Sequence, residues 1–227
     1  MFEIKISQGA KPGKGGILPG IKVTPEVAQI RGIPVGKDSI SPNRHLDINN
    51  VADMLNEVER IRNIAQKPVG LKFVVGSYDW IEEMFEEIYR RGVESAPDFI
   101  AVDGGDGGTG AVPMALLDNV GLPLRESLIA VNDLLIKYNL KKRIRLIASG
   151  KLITASDVAW ELCAGADFVN SARGFMFSLG CIQVFRCHKN TCPTGIATHN
   201  KRLQKGLDPA DKAEKVYHYA KNMAHEV

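Results

Sequence analysis

Short apolar runs alternate with longer stretches of helical period along this chain, and that alternation limits its fold more than any other feature. The runs are Phe2–Ile6, Val69–Val75, Phe99–Val102, Ile144–Ala148 and Phe168–Asn170. Phe2–Ile6 alternates, whereas the middle runs are close to continuously apolar. Strands apolar on both faces need cover on both, which points to a parallel sheet with crossover helices. The helical segments fit that scheme. One is expected over Thr24–Arg31. Between Asn50 and Ala65, the residues Val51, Met54, Leu55, Val58, Ile61 and Ala65 fall on one face. Asp79 is read as the cap of the next helix, with Trp80, Met84, Phe85 and Ile88 inward. Pro113–Tyr138 carries helix broken near Gly121-Leu122-Pro123. Thr154 and Asp157 read as a capping box for a helix running to Cys163. The last helix starts at Asp208-Pro209, with Ala213, Val216, Tyr217, Ala220 and Met223 inward. About five strands are present where a parallel (β/α)8 TIM-type barrel has eight. The expected fold class is therefore α/β, with about the last five β/α units of such a barrel forming a single domain over 1–227. An open doubly wound sheet is the alternative.

The 227 residues suffice to bury a core, and 44% hydrophobic with 24% charged residues is ordinary for a globular chain. A net charge of +3 is too small and too dispersed to argue for nucleic acid. No apolar run reaches the length of a membrane span. Met1 to Lys11 opens on a strand pattern rather than on a leader's basic start and apolar middle. The expected location is the cytoplasm, where disulfides are disfavoured and clustered cysteines need another explanation.

Each strong glycine cluster follows a strand: Gly9 to Gly20, Gly104 to Gly110, and Gly150. Parallel α/β folds bind ligands at that end of the sheet. The first cluster carries Lys11 and Lys14 but lacks the Gly-Lys-Ser/Thr of a phosphate-binding P-loop. Gly105 to Gly110 matches G-x-G-x-x-G. That dinucleotide signature belongs on the first strand of its domain, and this one follows an internal strand with Asp106 in its middle. A ligand-facing loop using Gly107 and Gly108 is preferred, with Asp103, Asp106 and Thr109 adding polar groups. Ser149-Gly150-Lys151 and Asn170-Ser171-Ala172-Arg173-Gly174 are two successive strand-to-helix loops, the setting of a barrel phosphate site. Two ordinary helix starts are the bland alternative. Lys72 interrupts an apolar strand and calls for an anion or a polar ligand, unless the strand is a solvated edge.

Cys181, Cys187 and Cys192 lie within twelve residues, in a loop over 175–200. Three close thiols suggest a metal or an iron–sulfur site. Zinc with His188 or His199 as fourth ligand stays open, although the two-residue spacing usual for zinc is missing. Cys163 reads as a small core residue of its helix.

Taken in order, these motifs resemble the flavin-binding synthase domain of glutamate synthase, above all the stand-alone related proteins without a glutaminase domain. The matching segments are Ile4-Lys5-Ile6-Ser7-Gln8-Gly9-Ala10-Lys11-Pro12-Gly13, Gly15-Gly16, Leu18-Pro19-Gly20, Ile40-Ser41-Pro42, Asp106 to Ala111, and Gly180-Cys181 through Cys192-Pro193-Thr194-Gly195-Ile196-Ala197-Thr198. The resemblance implies FMN and a 3Fe-4S cluster as cofactors. It implies Lys72 near the flavin ring, with Gly107 and Gly108 in the same cofactor site. Ser149, Gly150, Lys151, Ala172 and Arg173 would surround the FMN phosphate. Cys181, Cys187 and Cys192 would be the cluster ligands. Lys11 and Arg31 would meet the carboxylates of 2-oxoglutarate, with Asp106 facing the same site. Electrons from ferredoxin or a similar donor would pass through cluster and flavin to 2-iminoglutarate, forming glutamate.

The chain departs from that family pattern at several points. Ile17 stands where full-length synthases carry a glutamine near the substrate, which opens the alternative of an FMN barrel oxidoreductase with another acceptor. Leu46 follows His45 where the family has a second histidine, and Gly105 stands where it has a histidine. The start Met1-Phe2 offers no catalytic cysteine for glutamine hydrolysis, so nitrogen would arrive as ammonia or as glutamine-derived nitrogen from a partner. About three β/α units of the barrel are unaccounted for. A companion chain completing it is one expectation, and a non-catalytic partial barrel is another.

Overall fold

The computed structural model describes residues 1–11, 13, 15–108 and 112–227. Readings placed on Lys14, Thr109, Gly110 and Ala111 lie outside the described residues. In chain order the first elements are β1 (Phe2–Lys5), β2 (Ile17–Leu18), α1 (Pro25–Arg31), β3 (Ser39–Ile40) and α2 (Val51–Ala65). Then come β4 (Val69–Phe73), α3 (Asp79–Arg91), β5 (Phe99–Asp103), α4 (Leu124–Lys137) and β6 (Arg145–Ser149). The last are α5 (Ala155–Cys163), β7 (Phe168–Asn170), α6 (Arg173–Ser178), α7 (Lys201–Gln204) and α8 (Pro209–Glu226).

Five strands form one parallel sheet in the order β1-β4-β5-β6-β7, and β2 with β3 makes a small antiparallel pair. The strand order follows the sequence without reversal. A doubly wound sheet would reverse at its first strand and carry helices on both faces. Here the helical core residues of α2 to α5 pack in one cluster with the strand residues Val69, Leu71, Phe73, Ile100, Val102, Leu146 and Ala148. The opposite face holds only strand residues, Phe99, Ala101 and Ile147, in a cluster of their own. Consecutive parallel units with helices on one face are the build of a parallel barrel segment, so the doubly wound alternative is set aside.

Period-two alternation assigns the inner face. Register aligns Lys5, Lys72, Ala101, Ile147 and Phe168 in one row, and Asp103, Ser149 and Asn170 in the next row towards the strand C-termini. Lys72 therefore stands on an internal strand, not a solvated edge. The edges are β1 and β7, where Phe2 is 49% and Phe168 is 59% exposed.

Local signals explain most boundaries. The side chains of Thr24 and Asn50 accept from Val27 N and Asp53 N and so start α1 and α2. The capping box of α5 is present. Four expectations are corrected. Asp79 does not cap α3 but is its first residue. Tyr78 precedes it in a helical conformation, without a side-chain cap. Pro113–Tyr138 contains helix only from Leu124, after the Pro123 that ends the preceding turns. Cys163 is exposed, because α5 turns Ala155, Val158 and Glu161 inward instead. On α8 the inward residues are Val216, Tyr219, Ala220 and Met223, whereas Ala213 and Tyr217 face out. Tyr219 donates to Ile153 O at 2.8 Å and meets Phe175 edge-to-face at 5.0 Å between centroids, so α8 closes over α6 and the start of α5.

Candidate functional site

The loops after β5, β6 and β7 are tied to one another through polar side chains. Asp103, buried at the end of β5, accepts from Gly9 N at 2.7 Å and from Ser149 Oγ at 3.1 Å. Gly104 N donates to Ser149 O at 2.7 Å, and Gly107 N to Gly104 O at 2.8 Å. Glycine is required where these loops touch. A Cβ on Gly9 would stand 2.1 Å from Gly104 O. Gly150 has φ +146° and Lys151 follows at φ +41°, a reversal of the chain ahead of α5, where the N–H groups of Ile153 and Thr154 donate to Asp157. Arg173 Nη2 donates to Gly108 O at 2.7 Å, spanning from α6 to the glycine loop.

A cavity of about 460 Å³ opens between these loops and the cysteine loop. Its wall contains Lys72, Gly107, Gly108, Ser149, Gly150, Lys151, Ala172 and Arg173 from the strand-end loops, and Cys181, Cys187 and Cys192 from the far side. Gln8, Asp103, Asn170, Met176, Ile182, Gln183, Val184, Phe185, Thr194 and Ala197 also line it. The volume lies within the range usual for a small-molecule pocket. Lys72, Lys151 and Arg173 bring positive charge to the lining and Asp103 a carboxylate, while Met176, Ile182, Val184 and Phe185 are apolar.

Ammonium groups and the carboxylates of Glu3 and Asp103 stand together beside β1. Lys72, on the inner face, is 3.8 Å from Glu3. Burial holds the Lys5 ammonium below its ordinary value, and the neighbouring charges of Lys72 and then Lys11 push it the same way. Three ammoniums therefore crowd the start of the sheet. Cys192 is buried, which opposes ionisation of its thiol. The Thr194 hydroxyl and the backbone N–H groups of Ala197, Thr194 and Ile196 outweigh that burial and lower its pKa.

Three residues read as substrate-binding are not on the cavity wall. Lys11 is buried beside the first glycine loop, its N–H on Gln8 O at 3.1 Å. Arg31 is exposed at the end of α1. Asp106 turns to the helix side, where its Oδ1 accepts from Leu124 N at 3.3 Å. The three cysteines share the cavity wall, yet among the described residues no three His, Cys, Asp or Glu side chains converge to hold one metal ion. The apolar wall and Gln8 were not singled out from sequence, since Ile182, Val184 and Phe185 sit in a segment without strand or helix periodicity.

A family model described as the conserved region in glutamate synthase matches residues 1–227. The glutamate synthase large subunit-like protein YerD of Bacillus subtilis is 46% identical over 218 residues, which are 96% of this chain and 41% of that protein. The archaeal glutamate synthase (NADPH) of Methanocaldococcus jannaschii is 38% identical over 228 residues, covering 100% of this chain and 44% of that one. The chain thus spans less than half the length of these relatives. Among solved structures, a mutant flavocytochrome b2 with pyruvate bound aligns with 17% identity and a TM-score of 0.43, over 77% of this chain and 35% of that chain. GMP reductase from Trypanosoma brucei aligns with 20% identity and a TM-score of 0.38, over 53% and 24%. With the family model matching from the first residue to the last, the chain belongs to the glutamate synthase family.

Proposed function

We propose that this chain is the cofactor-binding part of a glutamate synthase-type oxidoreductase that holds FMN and a 3Fe-4S cluster and forms glutamate from 2-iminoglutarate. The observation that supports this best is the single cavity on which Lys72, the Gly150 and Arg173 loops and all three cysteines of the 181–192 segment meet. Its chemistry fits both groups. The basic side chains Lys72 and Arg173 suit a phosphate, the apolar Met176, Ile182, Val184 and Phe185 suit a planar ring, and soft thiols suit iron and sulfide. Loading the cluster requires the cysteine loop to draw its three thiols together.

Bound FMN supplies hydride chemistry, and the cluster supplies single-electron transfer. The chain's residues supply binding and electrostatics. Arg173, with the N–H groups at Gly150 and Lys151, holds the phosphate end. Lys72 offers a cation on the inner face, where negative charge collects when the cofactor is reduced. The backbone N–H groups around Cys192 stabilise thiolate and so favour cluster binding. Ferredoxin or a similar carrier is the proposed electron donor, with ammonia or glutamine-derived nitrogen and 2-oxoglutarate as substrates. The exposed edges at Phe2 and Phe168 support cover by further strands, from the rest of the protein or a companion chain.

A second reading, an FMN oxidoreductase with another acceptor, is favoured by one observation. Lys11 and Arg31, the pair expected to grip two carboxylates, lie off the cavity wall, and Ile17 on β2 cannot donate to a keto acid. Anaerobic reconstitution of the full-length protein tests the first reading: flavin absorbance and stoichiometric iron are expected. Cys187→Ser should lose iron and keep flavin. Absence of both flavin and iron from the wild type refutes the proposal. Failure of 2-oxoglutarate and ammonia to reoxidise the reduced protein selects the second reading.

A further inference from the structure

Lys22 reaches far across the chain from a short helical turn at Gly20–Lys22. Its Nζ donates to Cys187 O at 2.5 Å and to Ala197 O at 3.1 Å. Both partners flank Cys192, and the N–H of that same Ala197 is one of the donors to the Cys192 sulfur. The platform beneath Lys22 is held on several sides. Lys22 N donates to Pro19 O at 2.8 Å, Val23 N to Gly20 O at 2.9 Å, and Gly20 N to Asp38 Oδ1 at 2.6 Å. Gly20 is also pressed on Gly36, whose O would stand 2.2 Å from an added Cβ. The cysteine loop is folded on itself at the other end, where Thr198 Oγ1 donates to Asn190 O at 2.7 Å and His199 N to Asn190 Oδ1 at 2.6 Å.

Lys22 enters no ion pair among the described residues. A half-buried ammonium that spends its donors on two carbonyls keeps its charge for whatever anion the loop provides. No Asp or Glu occurs between Cys181 and Leu207, so the loop itself offers Lys22 carbonyls rather than carboxylates.

We propose that Lys22 is a positioning residue that clamps the cysteine loop, holding the backbone of Cys187 and the N–H cradle of Cys192 in register against the first glycine-rich segment. This rests on the reading of the cysteines as ligands, but its test does not. In the iron-free full-length protein, Lys22→Met should speed hydrogen exchange of the Cys192 and Thr194 to Ala197 amides by at least about tenfold, because it removes both charge-assisted hydrogen bonds. Iodoacetamide labelling of Cys187 and Cys192 should rise with it. Lys22→Arg, which can also reach two carbonyls, should restore protection, and the amides of α2 and α4 should not change. If Lys22→Met does not fold, Lys22→Gln serves with the same readouts. Unchanged exchange, loosening spread equally over α2 and α4, or no rescue by arginine overturns the clamp. Iron binding by the wild type is measured separately, so failure of the cluster reading and failure of the clamp are distinct results.

Discussion

Glu161→Gln is a perturbation whose size follows from the structure. Glu161 is on the inward face of α5, 2% exposed, and its Oε2 has no hydrogen-bond partner among the described residues. Burial pushes its carboxyl from 4.5 up to about 7. Arg125 opposes the rise, and Asp106 and Asp157 add to it. The folded state therefore holds this proton more tightly than the unfolded chain does. Its contribution to stability is complete below the unfolded value and is lost as pH climbs through the folded one. Across that window the loss amounts to about 3 kcal/mol. Glutamine keeps the shape without the titration. Relative to wild type, Glu161→Gln should be within about 1 kcal/mol at pH about 5 and more stable by up to about 3 kcal/mol at pH about 8. Urea midpoints with matched slopes at both pH values measure this, and any constant packing offset cancels in the comparison. A stability difference that is the same at both pH values refutes the argument.

Two other substitutions separate packing from binding. A Cβ on Gly174 would stand 1.7 Å from Tyr219 Oη and 2.4 Å from its Cζ, so Gly174→Ala should cost roughly 1–3 kcal/mol by thermal melting. Adding Tyr219→Leu should return part of that loss, and equal stability of wild type and Gly174→Ala contradicts the docking of α8 on α6. Arg173→Met should weaken flavin binding by roughly 10- to 100-fold in a fluorescence titration with little change in melting. An unchanged Kd removes Arg173 from the phosphate site.

The alternation of strand and helix was legible because it reflects burial on both faces of a parallel sheet. The buried face of α2 was legible for the same kind of local reason. Cys163 was not. A helix of mostly apolar residues suggests that its cysteine goes inside, but α5 turns Glu161 inward, towards Asp106 behind the glycine loop, and that choice is made by tertiary neighbours. Asp79 misled because a good capping residue stood one position late, after a tyrosine already in helical conformation. The two carbonyl partners of Lys22 lie 165 and 175 residues away and leave no local pattern.

The polar side chains of the glycine loops are already engaged. Asp103 is engaged by Gly9 and Ser149, Asp106 by Leu124, and Arg173 partly by Gly108. Each of these polar groups holds one loop against the next; Asp106 is turned away from the cavity, whereas Asp103 also lines it. Of the basic side chains lining the cavity, Arg173 spends one nitrogen on Gly108 O, and Lys72 lies 3.8 Å from Glu3. The Nζ of Lys151 is drawn to Asp118 at 3.0 Å, so under the proposed phosphate site Lys151→Ala should leave flavin binding nearly unchanged, whereas a β-branched residue at position 150, where φ is +146°, should distort the turn and weaken it.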